Sequence, residues 1–259
     1  MPVFLFDDLI FGPVRSRRLG VSLGVNLLPT HSKFCSYNCV YCECGWTKNR
    51  NSLKIKLPEP KELNDLLEQK LIELHGTLLE PDSITFAGNG EPTLHPQFAE
   101  IIKNTLQLRD RLAPKARVSV LSNGSMLKNQ VVVEALNMVD NNILKLDGGN
   151  EEIIRSINMP LKAFRLSEYI EQLKRFSGNI IIQTLFLRGS NNGKSFDNTT
   201  EEEVNSWLEK LKMIQPRSVM IYAIERDTPE AGIEKISSAE LESIASKARM
   251  AGIEADVFA

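Results

Sequence analysis

The sequence predicts an α/β fold built as a partial barrel of six parallel strands, and three observations carry that prediction. Short, apolar, β-rich runs alternate with amphipathic helical stretches along most of the chain, as expected of parallel strands joined by right-handed helical crossovers. The length, 259 residues, suits one barrel of roughly 250 residues. No repeat, low-complexity tract or linker-like change of composition divides the chain. It therefore reads as one domain over 1–259, with a lead-in over 1–20 and a C-terminal extension over 237–259 packed on it.

The strands are read, in order, at Val21 to Leu28, Ser83 to Ala87, Arg117 to Ser122, Asn142 to Leu146, Asn179 to Leu187 and Ser218 to Ile224. Helical patterns lie between and after them, at Lys61 to Leu79, Pro96 to Leu112, Met126 to Met138, Arg165 to Phe176, Thr200 to Ile214 and Ser238 to Met250. Two of these helices announce their starts. Thr199 and Thr200 precede the acidic first turn Glu201-Glu202-Glu203, and Ser237-Ser238-Ala239-Glu240 is a capping box. Ile253 to Phe258 adds a terminal strand whose direction the sequence does not reveal. Gly189 to Asn198 is a polar stretch read as a loop after the fifth strand, where parallel barrels place functional loops.

Composition narrows the function. With 42% apolar and 25% charged residues, the chain can bury a large core without disulfides. A net charge of −2 does not mark the chain as a non-specific nucleic-acid binder. The charge is uneven, however: eight Lys/Arg face three Asp/Glu through Lys56, and 23 face 30 from Leu57 onward. No run approaches the ~18–20 apolar residues of a membrane span, and Met-Pro-Val-Phe-Leu-Phe-Asp-Asp lacks the basic lead and apolar run of a signal peptide. The expected compartment is the cytoplasm, where thiols persist as ligands or nucleophiles.

All four cysteines, Cys35, Cys39, Cys42 and Cys44, fall in Cys-Ser-Tyr-Asn-Cys-Val-Tyr-Cys-Glu-Cys. A disulfide framework would spread them so that each bridge closes a useful loop. Three and two intervening residues instead let one loop curl around an inorganic centre, either zinc or an iron–sulfur cluster. Zinc would need all four thiolates from one loop, because the three histidines, His31, His75 and His95, show no paired ligand spacing. A cubane 4Fe-4S cluster held by three thiolates would leave one iron open, as catalytic metal sites do.

Cys35-x-x-x-Cys39-x-Tyr41-Cys42 resembles the cluster loop of the radical S-adenosylmethionine (radical SAM) superfamily. Phe86-Ala87-Gly88-Asn89-Gly90-Glu91-Pro92-Thr93-Leu94 resembles the superfamily's Gly-Gly-Glu-Pro segment, with Asn89 in place of the usual second glycine. Leu121-Ser122-Asn123-Gly124 is similar to its nucleoside-contacting strand end. The lead-in Phe11-Gly12-Pro13-Val14-Arg15-Ser16-Arg17-Arg18-Leu19-Gly20 and the run Leu23 to Pro29 are similar to the branch containing the wyosine-type tRNA synthetases. Asn158-Met159-Pro160 and Arg226-Asp227-Thr228-Pro229 resemble that branch as well.

The resemblance implies a partial (β/α)6 TIM-like barrel and two cofactors, a 4Fe-4S cluster and S-adenosylmethionine. It implies that Cys35, Cys39 and Cys42 bind three irons while the amino and carboxylate groups of S-adenosylmethionine chelate the fourth. Reductive cleavage of the sulfonium would then give a 5′-deoxyadenosyl radical that abstracts a substrate hydrogen. A low-potential donor such as flavodoxin or ferredoxin would supply the electron. Gly88, Asn89, Gly90 and Glu91 are placed at the methionyl end of the cofactor, and Ser122 and Asn123 at its ribose or carboxylate. Tyr41 and Gln183 complete the cofactor candidates.

Substrate candidates are Lys145 and Asp147, which close the fourth strand, Tyr222 and Arg226 near the sixth, and Arg17 before the first. Arg15, Arg17, Arg18, Lys48, Arg50, Lys54 and Lys56 flank the cysteine motif and suit an anionic substrate. tRNA is one such substrate. Against it stand the low net charge and the absence of any cysteine before Cys35, since members of the branch that make the tricyclic base bind a second cluster through upstream cysteines. The substrate stays open, as does the role of Cys44. The competing reading is a zinc-stabilised binding module using all four cysteines.

Overall fold

The computed structural model describes residues 4–47, 56–191, 193–225, 228–230 and 232–259. They fall into two compact units: Leu5–Ser36 with Thr47–Asn142, and Tyr37–Trp46 with Ile143–Ala259 and Phe4. Among the described residues no helix is long and apolar enough to cross a membrane.

In the first unit, β1 (Ile10–Ser16) pairs antiparallel with β2 (Gly20–Val25). To β2 is added β3 (Ser83–Phe86), and to β3 is added β4 (Arg117–Ser122), both parallel. The registers are Ser22 opposite Ser83 and Ser83 opposite Arg117. Alternation along β3 separates two faces. Ile84 and Phe86 point toward the helices, where the Phe86 ring meets Phe98 of α2 (Phe98–Leu112) edge-on at 6.5 Å. α1 (Pro60–Leu74) buries Leu63, Leu67 and Leu71, one per turn. α3 (Gln130–Met138) buries Val132, Val133 and Leu136. The other face is polar. Ser22 Oγ lies 2.8 Å from Thr85 Oγ1, Ser83 Oγ 2.9 Å from Ser119 Oγ, and Asn141 Nδ2 donates to Ser119 Oγ at 3.0 Å. These buried hydroxyls satisfy one another across neighbouring strands.

The second unit repeats the parallel pattern. β5 (Asn141–Lys145) is followed by α4 (Glu151–Asn158) and α5 (Leu166–Lys174). β6 (Ile181–Leu185) runs parallel to β5. β7 (Leu187–Asn191) and β8 (Lys194–Asp197) form an antiparallel pair, after which comes α6 (Glu201–Ile214). β9 (Ser218–Tyr222) is parallel to β6. β10 (Glu234–Lys235) extends the small antiparallel sheet on β7, and α7 (Ser238–Met250) leads into β11 (Ala255–Phe258), parallel to β9. Trp207 of α6 is fully buried, edge-on to Phe186 at 5.3 Å, with Nε1 donating to Thr184 Oγ1 at 3.1 Å.

The six expected strands are all present, and Ile253 to Phe258 supplies a parallel strand. Several expected boundaries move. The first helix stops at Leu74 because Thr77 Oγ1 caps the Leu74 carbonyl (2.7 Å) and Gly76 turns left-handed at φ +70°. The second helix begins at Phe98 after a 3-10 turn over Pro92–Leu94. The third begins at Gln130, where the Asn129 side chain caps Val131 N at 3.0 Å. The stretch Gly189 to Asn198, expected as a loop, is largely the β7–β8 hairpin. Its side chains carry no apolar alternation because most are exposed or half-buried, with Phe196 the one large residue turned inward. α4 and β1 lie outside the elements expected from the sequence.

Candidate functional site

In the first unit the carboxyl ends of β3 and β4 form a tightly bonded cradle. Gly90 bridges Phe34 in parallel fashion: Phe34 N–H donates to Asn89 O at 2.8 Å and Glu91 N–H to Phe34 O at 3.1 Å. The approach needs glycine. At Gly90, with φ +146°, a Cβ would overlap the Phe34 carbonyl oxygen and stand 2.5 Å from its carbon. Gly88 is equally close to Asn26, whose Oδ1 would lie 2.5 Å from an added Cβ.

Asn89 is fully buried. Its Nδ2 donates to the carbonyls of Phe6 and Pro29, both at 2.9 Å, and its Oδ1 accepts from Phe6 N at 2.9 Å. Glu91, 2% exposed, ties this loop to the next strand end. Its Oε1 accepts from Thr93 N (3.1 Å), Thr93 Oγ1 (2.5 Å) and Ser122 Oγ (2.8 Å), and its Oε2 from Asn123 N (2.6 Å). Burial pushes its carboxyl above the ordinary value, against four hydrogen bonds that favour the charge. Asn123 in turn places Nδ2 3.5 Å from Cys35 Sγ and 2.9 Å from Ser36 Oγ.

In the second unit the cysteine loop is strapped to the end of α4. Asn38 N–H donates to Met159 O at 3.1 Å, Val40 N–H to Ile157 O at 2.9 Å, and Tyr37 bridges Pro160. Beside this strap lies a buried polar cluster. Tyr41 Oη donates to Asp147 Oδ2 and accepts from Lys145 Nζ, while Lys145 also pairs with Asp147 at 3.3 Å. Asp147 has no exposed surface. Its Oδ1 accepts from Leu185 N at 2.9 Å, and its Oδ2 from Asn158 Nδ2 at 2.7 Å. The same Asn158 nitrogen stands 3.5 Å from Cys39 Sγ and 3.4 Å from Tyr41 Oη. Burial and the Asp147 carboxylate hold the Tyr41 phenol well above its ordinary value. Burial opposes the charge on Lys145, yet Asp147 outweighs it and keeps the ammonium protonated.

The loop following Asp147 is held from α6. Glu203 Oε1 accepts from Gly149 N (2.5 Å) and Asn150 N (3.1 Å), and its Oε2 from Asn150 Nδ2. Gly149 packs against the α6 backbone at Ser206 and Trp207, leaving no room for a Cβ.

Residues 30–202 match the Radical SAM superfamily. The chain belongs to the radical SAM superfamily of enzymes. Members of that superfamily bind a 4Fe-4S cluster and S-adenosylmethionine. A radical SAM methyltransferase from Sphaerobacter thermophilus superposes with a TM-score of 0.66 at 15% identity, covering 92% of this chain and 65% of that one. The structure of TYW1 with a lysine–pyruvate adduct bound gives 0.58 at 17% identity, covering 88% and 73%. The fold is thus the partial (β/α)6 TIM-like barrel of radical SAM proteins.

Among curated relatives, a Brachyspira hyodysenteriae protein named GTPase Obg is 30% identical over 90% of this chain, which spans 32% of that protein. A UPF0026 protein of Methanocaldococcus jannaschii is 32% identical over 80% of this chain, which spans 61% of it.

Most of the site residues expected from the sequence of this radical SAM protein fall into the two described clusters. Gly88, Asn89, Gly90, Glu91, Ser122, Asn123 and Cys35 share one. Cys39, Tyr41, Lys145 and Asp147 share the other, and Tyr222 and Tyr41 both pack against the apolar group that contains Val40, Ile157 and Leu185. Cys42 follows in the loop, its N–H donating to Cys39 O at 3.0 Å. Gln183 is buried in β6, where its carbonyl accepts from Leu146 N at 3.0 Å. Arg17 is exposed beyond β1. Arg226 lies outside the described residues, as do Lys48, Arg50 and Lys54. Asn158 and Glu203 are the residues whose roles emerge only from the fold. Asn158 had a signal in the Asn-Met-Pro run, whereas Glu203 read as a first-turn acid of its helix.

Proposed function

We propose that the chain is a radical SAM enzyme in which Cys35, Cys39 and Cys42 hold a 4Fe-4S cluster and the Gly88–Glu91 and Ser122–Asn123 segments bind S-adenosylmethionine. The observation that carries this reading is the donor set. Three thiols lie within eight residues of one loop, and the sulfurs of Cys35 and Cys39 each have an asparagine side-chain nitrogen at 3.5 Å. Such donors suit thiolates that carry charge. Together, cluster and cofactor supply reductive cleavage of the sulfonium and hydrogen abstraction from the substrate.

The protein's own residues supply placement. Gly90 keeps backbone close to the loop that carries Cys35, and Gly88 keeps it close to Asn26. Glu91 fixes the relative position of the two cofactor-binding segments through Thr93, Ser122 and Asn123. Tyr41, Asp147 and Lys145 pack under Cys39 and exclude water from that side of the loop. Flavodoxin or ferredoxin delivers the electron. The basic lead-in, including Arg17, receives an anionic part of the substrate.

The test is anaerobic reconstitution, with iron and sulfide analysis, then reduction and addition of S-adenosylmethionine with chromatographic detection of 5′-deoxyadenosine. About four irons and four sulfides per chain are expected, with both cluster and product lost in Cys39→Ala. One zinc per chain without sulfide would overturn the reading. Charge reversal at Arg17 with unchanged substrate affinity would remove the anion-binding assignment alone.

A further inference from the structure

Asn158 closes the last turn of α4 and reaches past its own backbone to three groups. Its Nδ2 carries two hydrogens. One is committed to Asp147 Oδ2 at 2.7 Å, and Asp147 is itself fixed by Leu185 N–H on its other oxygen at 2.9 Å. Two substituents on a planar amide nitrogen are fixed relative to each other, so anchoring one hydrogen aims the second. That second hydrogen is directed at the remaining neighbours of Nδ2, Cys39 Sγ at 3.5 Å and Tyr41 Oη at 3.4 Å.

The backbone on both sides is held as well. Val40 N–H bonds Ile157 O and Asn38 N–H bonds Met159 O, so the residues flanking Cys39 are locked to the residues flanking Asn158. Asn158 is 1% exposed, and no water competes for the donor. The residue type matters: an amide supplies two hydrogens and no charge, where an aspartate would set a second carboxylate beside Asp147 and the thiolate.

We infer that Asn158 is a positioning residue that donates a hydrogen bond to the Cys39 thiolate and thereby raises the reduction potential of the cluster held there. This rests on the assignment of Cys39 as a cluster ligand. Reduction adds negative charge that spreads onto the ligating sulfurs, and an N–H donor aimed at sulfur stabilises the reduced form more than the oxidised one. The Asp147, Tyr41 and Lys145 group, outside the ligand set, has the task of holding that donor in place.

The experiment compares reconstituted wild type, Asn158→Ala and the isosteric Asn158→Asp. Readouts are iron and sulfide content, thermal unfolding, and the midpoint potential from redox titration followed by electron paramagnetic resonance. At a fixed poise near the wild-type midpoint, Asn158→Ala is expected to show about a tenfold lower ratio of reduced to oxidised cluster, ~59 mV for one electron. Asn158→Asp is expected to show a larger drop.

Unchanged midpoints in cluster-loaded variants overturn the inference. So does loss of the cluster from variants that unfold at the wild-type temperature, since Asn158 would then be required for holding the cluster rather than tuning it. If Asn158→Ala fails to fold, Asn158→Asp, which keeps the volume, carries the same decision. If the wild type itself binds no iron and sulfide, or Cys39→Ala binds them normally, the cluster assignment fails instead.

Discussion

Replacing Gly90 by alanine tests whether the cradle depends on a close backbone approach. The new Cβ would overlap the Phe34 carbonyl oxygen, a backbone atom that moves only if the bridge opens. Opening it removes two hydrogen bonds, Phe34 N–H to Asn89 O and Glu91 N–H to Phe34 O, each worth about 0.5–1.5 kcal/mol net. Holding alanine at φ +146° adds roughly 1–3 kcal/mol of strain. The expected loss is therefore about 2–6 kcal/mol, a large part of the 5–15 kcal/mol typical of a folded domain.

Gly76→Ala is the matched control. Its φ is +70°, but nothing lies within 4 Å of an added Cβ, so it should lose only about 1–2 kcal/mol from the left-handed backbone. Urea unfolding of both variants, read by circular dichroism, measures the difference. Equal losses in the two would refute the crowding argument, as would a Gly90→Ala protein with the wild-type midpoint.

Other consequences are open to measurement. Burial raises the carboxyl of Glu91 above its ordinary value near 4.5, so the folded chain binds the proton more tightly than the unfolded one. Stability from this group is greatest below that ordinary value and falls as pH rises toward the raised value. Glu91→Gln removes this dependence, so its unfolding free energy should gain on the wild type as pH rises through that window, and parallel pH profiles would contradict the assignment. Asn89→Gly deletes three side-chain hydrogen bonds and should lose about 1.5–4.5 kcal/mol, with faster amide exchange at Phe6 as the local signature. Trp207→Ala empties a fully buried site and should lose about 3–5 kcal/mol, seen in the urea midpoint. Cys44→Ser should retain the wild-type iron and sulfide content, because the proposed ligand set does not include it.

The parallel strands were legible because each is a compact apolar run followed by a turn signal. Arg117–Ser122 and Ser218–Tyr222 show this clearly. The cysteine loop stands out for a different reason, since its four thiols lie close together in sequence. What escaped was tertiary. α4 is eight residues long and starts two residues after the pair Gly148-Gly149, so its periodicity spans little more than two turns. The β7–β8 hairpin exposes much of its surface and therefore lacks the alternation that marks a half-buried strand. The bonds of Asp147 reach Tyr41, Asn158 and Leu185, partners set by packing rather than by any spacing along the chain. Glu91 was recognisable as a loop residue, but its commitment to Thr93, Ser122 and Asn123 depends on how β3 and β4 end side by side.

The amide of Asn89 couples the glycine-rich loop to the lead-in. With glycine at that position, three hydrogen bonds to the backbone of Phe6 and Pro29 would be missing. Once Asn89 grips Phe6 N–H, Phe6 O and Pro29 O, the lead-in and the cradle become a single mechanical part. Replacement by glycine would remove all three of these bonds at once. Position 89 is consequently where a change in the glycine-rich loop reaches the lead-in directly.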